Sequence, residues 1–225
     1  MSPLESALLA QKNIKVIDAS IPYQNYQPID LSLSNTDLLA LKNADDFETY
    51  INTYLEKNKA KVAFGGYKEL RNLYKRSNIF NDIDLEERNI HIGIDLWIKE
   101  ETPVLSALDG IVHSFDYNVG LGNYGPTIIL KHKIEGIEFY TLYGHLSIES
   151  IEILKVGTIF KAGEQIGTLG DSSVNGDYAP HLHFQIIDEI EDSVGDYPGV
   201  SNKSDLDFYL KNCPDPNLLL KINEL

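Results

Sequence analysis

Three short stretches hold most of the residues in this chain that could do chemistry. His181-Leu182-His183-Phe184-Gln185 carries two histidines separated by one residue. In a strand, residues two apart point to the same face, so both imidazoles would open on one space while Leu182 and Phe184 pack behind. His91-Ile92-Gly93-Ile94-Asp95 adds a histidine and a carboxylate four apart, and Tyr143-Gly144-His145-Leu146-Ser147 adds another histidine. Four of the six histidines fall in these stretches. Imidazoles sharing a face, joined by ligands from elsewhere in the chain, make a metal-site donor set. The blander alternatives are a solvated strand face for His-x-His and a surface hydrogen-bonded pair for His91 and Asp95. A straight strand would hold His91 and Asp95 about 13 Å apart at ~3.3 Å per residue. The segment must therefore bend, and Gly93 is the residue that allows it. His113, in an apolar strand, and His132, between Lys131 and Lys133, read as structural or solvated.

The elements that must position these residues come in two textures. From Ile90 onward, short β-like runs alternate with turn signals. Candidate strands are His91 to Lys99, Val104 to Leu108, Ile111 to Phe115, Thr127 to Lys133, Phe139 to Leu142 and Leu182 to Ile187, with Glu135-Gly136 turning a hairpin. The expected fold is mainly β (α+β overall), an antiparallel β-sandwich or partly open barrel with an α-rich N-terminal segment. The first part of the chain is different. Ser34 to Asp37 reads as a capped helix start before Leu38. Asp45 to Lys59 reads as an amphipathic helix through Phe47, Tyr50, Ile51 and Leu55. Asn13 to Ile17 reads as a short strand and Pro22 to Leu33 as turns, while Phe64, Tyr67, Tyr74 and Phe80 read as packing residues. The expected division is residues 1–88 as an appendage, 89–190 as the domain that carries the three stretches and 191–225 as a tail packed on it.

Composition sets limits on function. The 225 residues carry a net charge of −15, and residues 91–225 hold 8 basic against 21 acidic side chains. Such a surface repels polyphosphates, which argues against nucleic-acid binding. It also repels anionic wall polymers, although salt screens this within about 10 Å. No run approaches the ~18 apolar residues of a membrane span. Met1 to Ala10 has neither the basic start nor the long apolar core of a signal peptide, so a cytoplasmic location is expected. Cys213 is the one cysteine, which excludes an intramolecular disulfide.

Taken in order, His91-x-x-x-Asp95, the lone His145 and His181-x-His183 resemble the motif set of the lysostaphin/LytM-type zinc metallopeptidases. The resemblance spans about Arg88 to Ile190 and includes Gly93, Asp109-Gly110 and Gly163. It implies one Zn2+ per chain held by His91, Asp95 and His183, with His145 and His181 as catalytic histidines beside the open position. Which of the two is the base stays open. A zinc-activated water and neighbouring imidazoles of pKa near 6.5 suit amide hydrolysis. Asn123 and Tyr124 fall in a region that lines the substrate groove in this family, and Tyr143 precedes the lone histidine; each tyrosine could donate a hydrogen bond to substrate, with core packing as the alternative. The implied substrate is a peptide or peptidoglycan-like polymer. The alternatives are a small soluble amide or a non-catalytic binding or assembly domain. Gln185 stands where the family commonly has glutamate, which leaves substrate preference open. Phe64-Gly65-Gly66-Tyr67, Asn123-Tyr124-Gly125-Pro126 and the tail around Cys213 are similar to a branch joined to class III aminotransferase and sugar-kinase-like domains, which implies partner enzymes of a biosynthetic pathway. Some family members are silenced by an upstream residue in the fourth zinc position, and Asn25 and Asn35 are candidates here.

Overall fold

The computed structural model describes residues 1–71 and 86–222; Tyr74 and Phe80 lie outside them. In chain order the strands are β1 (Tyr26–Pro28), β2 (Val62–Gly65), β3 (Ile90–His91), β4 (Ile94–Trp97), β5 (Pro103–Leu105) and β6 (Gly110–Asn118). They continue as β7 (Gly125–Ile134), β8 (Ile137–Gly144), β9 (Ile159–Phe160), β10 (Gln165–Thr168), β11 (His181–Ile187) and β12 (Val200–Ser201). Helices are α1 (Pro3–Ala10), α2 (Ala44–Asn58), α3 (Glu149–Glu152), α4 (Leu206–Asn212) and α5 (Asn217–Leu220). The protein is mostly β. Eight strands form one open sheet in the order β1-β2-β4-β11-β8-β7-β6-β9, and two small pairs, β5–β10 and β3–β12, stand beside it.

Alternation along β11 organises the interior. Leu182, Phe184 and Ile186 turn to one side and join Ile94, Leu96, Ile128, Leu130 and Tyr143 in the main core. Ile187, on the opposite face, joins Ile92, Ile129, Leu142 and Cys213. Each of these large apolar side chains contributes about 1.5–3 kcal/mol by leaving water. The pattern fixes the register, because a one-residue slip would carry the histidines into the core. β7 and β8 are joined by Glu135 and Gly136, with φ values of 50° and 90°. Two positive φ values define the tight turn that matches strand twist, so the expected hairpin forms.

The first 71 residues are not purely helical. The expected helix at 45–59 forms as α2, with Asn43 accepting from the Asp46 amide and Lys59 closing it in a left-handed conformation. Thr36–Ala40 coils only as a short 3-10 turn capped by Asn35. Tyr26–Pro28, within the stretch read as turns, forms a strand and with Val62–Gly65 extends the main sheet: β1 pairs parallel with β2, and β2 pairs antiparallel with β4. Val62 and Ala63 are fully buried there, so burial in the sheet outweighs the turn signals around them. The expected strand at Asn13–Ile17 reduces to one bridge from Ile17 to Val104. Pro3–Ala10 is a helix capped by Ser2, and Leu4, Ala7 and Leu8 bury its inner face.

His132 is structural, as its setting suggested, but it is buried rather than solvated. Its Nδ1 faces the Asp109 carbonyl at 2.9 Å and its Nε2 faces the Thr141 hydroxyl at 2.7 Å. Burial lowers its pKa to about 4, with the Asp109 carbonyl and carboxylate pulling the other way. The folded state therefore binds fewer protons than the unfolded chain between pH 6.5 and about 4. Stability is intact above pH 6.5 and falls across that window by about 3 kcal/mol from this group alone. Urea unfolding at stepped pH should show a shallower acid loss in His132→Gln than in the wild type; parallel curves would refute it.

Candidate active site

Cross-strand register brings the three stretches together. In the main sheet Gly65, Asp95, His183 and Gly144 lie in one row across β2, β4, β11 and β8. His181 pairs with Trp97 in the next row, and the two rings stack 3.9 Å apart at 17°. The anticipated bend between His91 and Asp95 is present. β3 ends at His91, and the chain resumes as β4 at Ile94. Gly93 is required there for space: a Cβ would meet His183 Cε1 at 2.6 Å and the Phe184 carbonyl oxygen at 3.0 Å. His145 follows β8 in a left-handed conformation, φ 64°, and its ring lies 4.2 Å from that of His181. Asp95 and all four histidines are buried.

Hydrogen-bond partners fix which ring nitrogens carry protons. The Gln185 amide nitrogen donates to the Pro198 carbonyl, so its Oε1 accepts from His183 Nε2 at 2.9 Å. His91 Nδ1 donates to the Gly66 carbonyl at 3.0 Å. The lone pairs of His91 Nε2 and His183 Nδ1 are thereby left facing one another at 2.9 Å, with Asp95 Oδ1 3.4 and 3.2 Å away. Burial lowers the His91 pKa to about 4, although Asp95 works against this. Burial also opposes charge on Asp95, but His91 and Arg71 hold its carboxyl well below the usual range. Three electron-pair donors thus crowd a buried space that only a cation or a shared proton can make favourable. Tetrahedral ligands about 2.05 Å from zinc are ~3.3 Å from each other, so this donor set fits that ion.

His145 and His181 are arranged alike. Each directs Nδ1 to a backbone carbonyl at 2.8 Å, that of Asn175 and that of Ala179 respectively. Their Nε2 atoms are therefore unprotonated, and His181 Nε2 lies 3.9 Å from Asp95 Oδ1. Burial lowers the pKa of His181 to about 4 and that of His145 well below its ordinary value. The pocket they face encloses about 160 Å³ and is also lined by Trp97, Asn123, Tyr124 and Tyr178.

Tyr143 does not line this pocket. It pairs with Phe184, not His183, so it points to the opposite face of the sheet. There it is fully buried, and its hydroxyl accepts from the Ala107 amide at 2.9 Å. Tyr124 and Asn123 do reach the pocket, and the Tyr124 hydroxyl is 3.4 Å from His183 Nε2. Gly144 leaves room for the Tyr124 ring, which a Cβ would meet at 2.7 Å. Asn25 and Asn35 are elsewhere: the Asn25 carbonyl accepts from Lys61, and the Asn35 amide bonds Asp30 and Tyr50. Gln185 stands beside His183 and orients its ring through Nε2. The period of two along β11 already placed them on one face. No spacing in the sequence ties Glu69 and Arg71 to Asp95, although Arg71 Nη1 donates to Asp95 Oδ2 at 2.5 Å.

Two imidazoles and a carboxylate that could hold a metal ion thus lie together, buried, beside two further histidines. Residues 89–194 match the model of Peptidase family M23. An uncharacterized metalloprotease of Haemophilus influenzae is 34% identical over 95 residues, 42% of this chain and 18% of that protein. The DD-carboxypeptidase/endopeptidase Mpg of Neisseria meningitidis serogroup B is 34% identical over 96 residues, 43% of this chain and 20% of that one. These matches therefore span only about a fifth of the curated relatives. The catalytic domain of lysostaphin from Staphylococcus simulans is similar at 25% identity with a TM-score of 0.40, covering 68% of this chain and 93% of that one.

Gly93→Ala should lower unfolding stability by about 1–3 kcal/mol by forcing His183 or β11 to shift. Chemical denaturation checks the size, and histidine NMR shifts confined to the His91–His183 neighbourhood check the cause. An unperturbed His183 signal would contradict it.

Proposed function

We propose that this chain is a zinc-dependent hydrolase of amide bonds, with His91 Nε2, Asp95 Oδ1 and His183 Nδ1 holding the ion. The observation that carries this reading is the convergence of those three electron-pair donors in a buried space. Bound there, zinc supplies Lewis-acid polarisation of a carbonyl and makes a water acidic enough to ionise near neutral pH. The chain's own residues do the rest. Gln185 and the Gly66 carbonyl hold the two ligand imidazoles in the tautomer that points a lone pair inward. His145 and His181, both unprotonated at Nε2, are placed to take a proton from water and return it to the leaving amine. As imidazolium or N–H donors, the same rings stabilise the negative charge that develops on the carbonyl oxygen. Trp97, stacked on His181, restricts that ring to one orientation. Tyr124 and Asn123 line the approach and serve substrate binding.

A peptide or peptidoglycan-like substrate follows the family. A small soluble amide is the second reading, supported by the tail. Gly199 accepts from the Ile92 amide, and β12 pairs with β3, so residues 199–201 run against the His91 side of the pocket. A Cβ on Gly199 would meet the Tyr124 hydroxyl, which makes this wall tight. Turnover of intact sacculi separates the two: digestion supports the polymer, whereas cleavage of soluble amides alone supports the small substrate. The strong negative charge also disfavours an anionic polymer at long range.

Stoichiometric zinc should be lost in His91→Ala and Asp95→Ala. It should persist in His145→Ala and His181→Ala while kcat falls about 10²–10⁴-fold. Metal analysis with steady-state kinetics reads both; zinc retained in Asp95→Ala would remove the proposed ligand set.

A further inference from the structure

Asp95 has two oxygens, and they face different partners. Oδ1 turns to His91 and His183, whereas Oδ2 accepts from Arg71 Nη1 at 2.5 Å. Arg71 Nε donates to Glu69 Oε2 at 2.6 Å, and the second Glu69 oxygen accepts from the Leu31 amide at 3.0 Å. The backbone anchors both residues to the site: the His91 amide donates to the Glu69 carbonyl, and the Arg71 amide to the Asn89 carbonyl, each at 2.9 Å. Arg71 is 2% exposed. Gly66 keeps the space clear, since a Cβ there would collide with the guanidinium and lie 2.9 Å from His91 Nδ1.

Resting on the zinc reading above, we infer that Glu69 and Arg71 are positioning residues that restrict Asp95 to one-oxygen ligation. A guanidinium can fork two carboxylates with a fixed geometry, which a lysine ammonium cannot reproduce. With Oδ2 held by Arg71, only Oδ1 is available to the ion, and the position a second oxygen would take is kept for water or substrate. A buried arginine beside a divalent cation is electrostatically unfavourable by itself, and the Glu69 carboxylate offsets it. Through Leu31, Glu69 and Arg71, the residues ahead of the M23 match thus form part of the metal environment.

The full chain carrying Arg71→Lys, Arg71→Met or Glu69→Gln tests this, with folding followed by circular dichroism. Zinc affinity by chelator competition should fall about 10–100-fold in both Arg71 variants and less in Glu69→Gln. The cobalt-substituted Arg71 variants should show weaker visible absorption than the wild type as a second carboxylate oxygen enters the coordination sphere. If Arg71→Met does not fold, Arg71→Lys and Glu69→Gln carry the test. Unchanged zinc affinity and an unchanged cobalt spectrum in folded variants would overturn the positioning role while leaving the zinc reading intact. A wild-type chain that binds no zinc would overturn both.

Discussion

The structure turns on an electrostatic demand: two imidazole lone pairs and a carboxylate oxygen meet within 2.9 to 3.4 Å at the buried base of a pocket. Electron-pair donors at that distance repel unless something positive lies among them. The cost is met by the fold. Main-core burial of Leu182, Phe184, Ile94 and Leu96 holds β11 and β4 in the register that sets His183 beside Asp95. The donors are held together by apolar packing on the far face of the same strands.

Around that point, each imidazole has its remote nitrogen tied down. Gly66, Ala179 and Asn175 provide backbone carbonyls, and Gln185 provides a side-chain oxygen. Four rings are thus fixed in tautomer as well as position. Neutral, oriented imidazoles are useful both as ligands and as proton acceptors, and burial keeps His91, His145 and His181 neutral at physiological pH. Glycine supports this crowding in a different way at Gly93 and Gly144, where a single extra carbon would strike His183 or Tyr124.

The segment ahead of the M23 match is continuous with the site. β2 pairs with β4 next to Asp95, and Glu69 and Arg71 reach the carboxylate itself. From the other end, Gly199 and Val200 close against His91 through β12. The edge of β4 and the rim beside His91 are thus covered by chain from both directions. That arrangement gives the substrate question its form, because it narrows the approach to the donors on the His91 side.

Local pattern in the sequence determined a good deal. Period-two alternation put His181, His183 and Gln185 on one face of a strand, Glu135-Gly136 specified a hairpin, and helical spacing located α2 within a residue at each end. These properties depend on neighbours a few positions away, so they can be read along the chain. Tertiary structure alone decided that Val62–Gly65 is a sheet strand, that Tyr143 faces the core and that Arg71 grips Asp95. Each outcome depends on which surface lies opposite, and residues 24 or 41 positions apart in sequence, such as Arg71 and Asp95 or Tyr143 and Phe184, carry no local signal of their meeting.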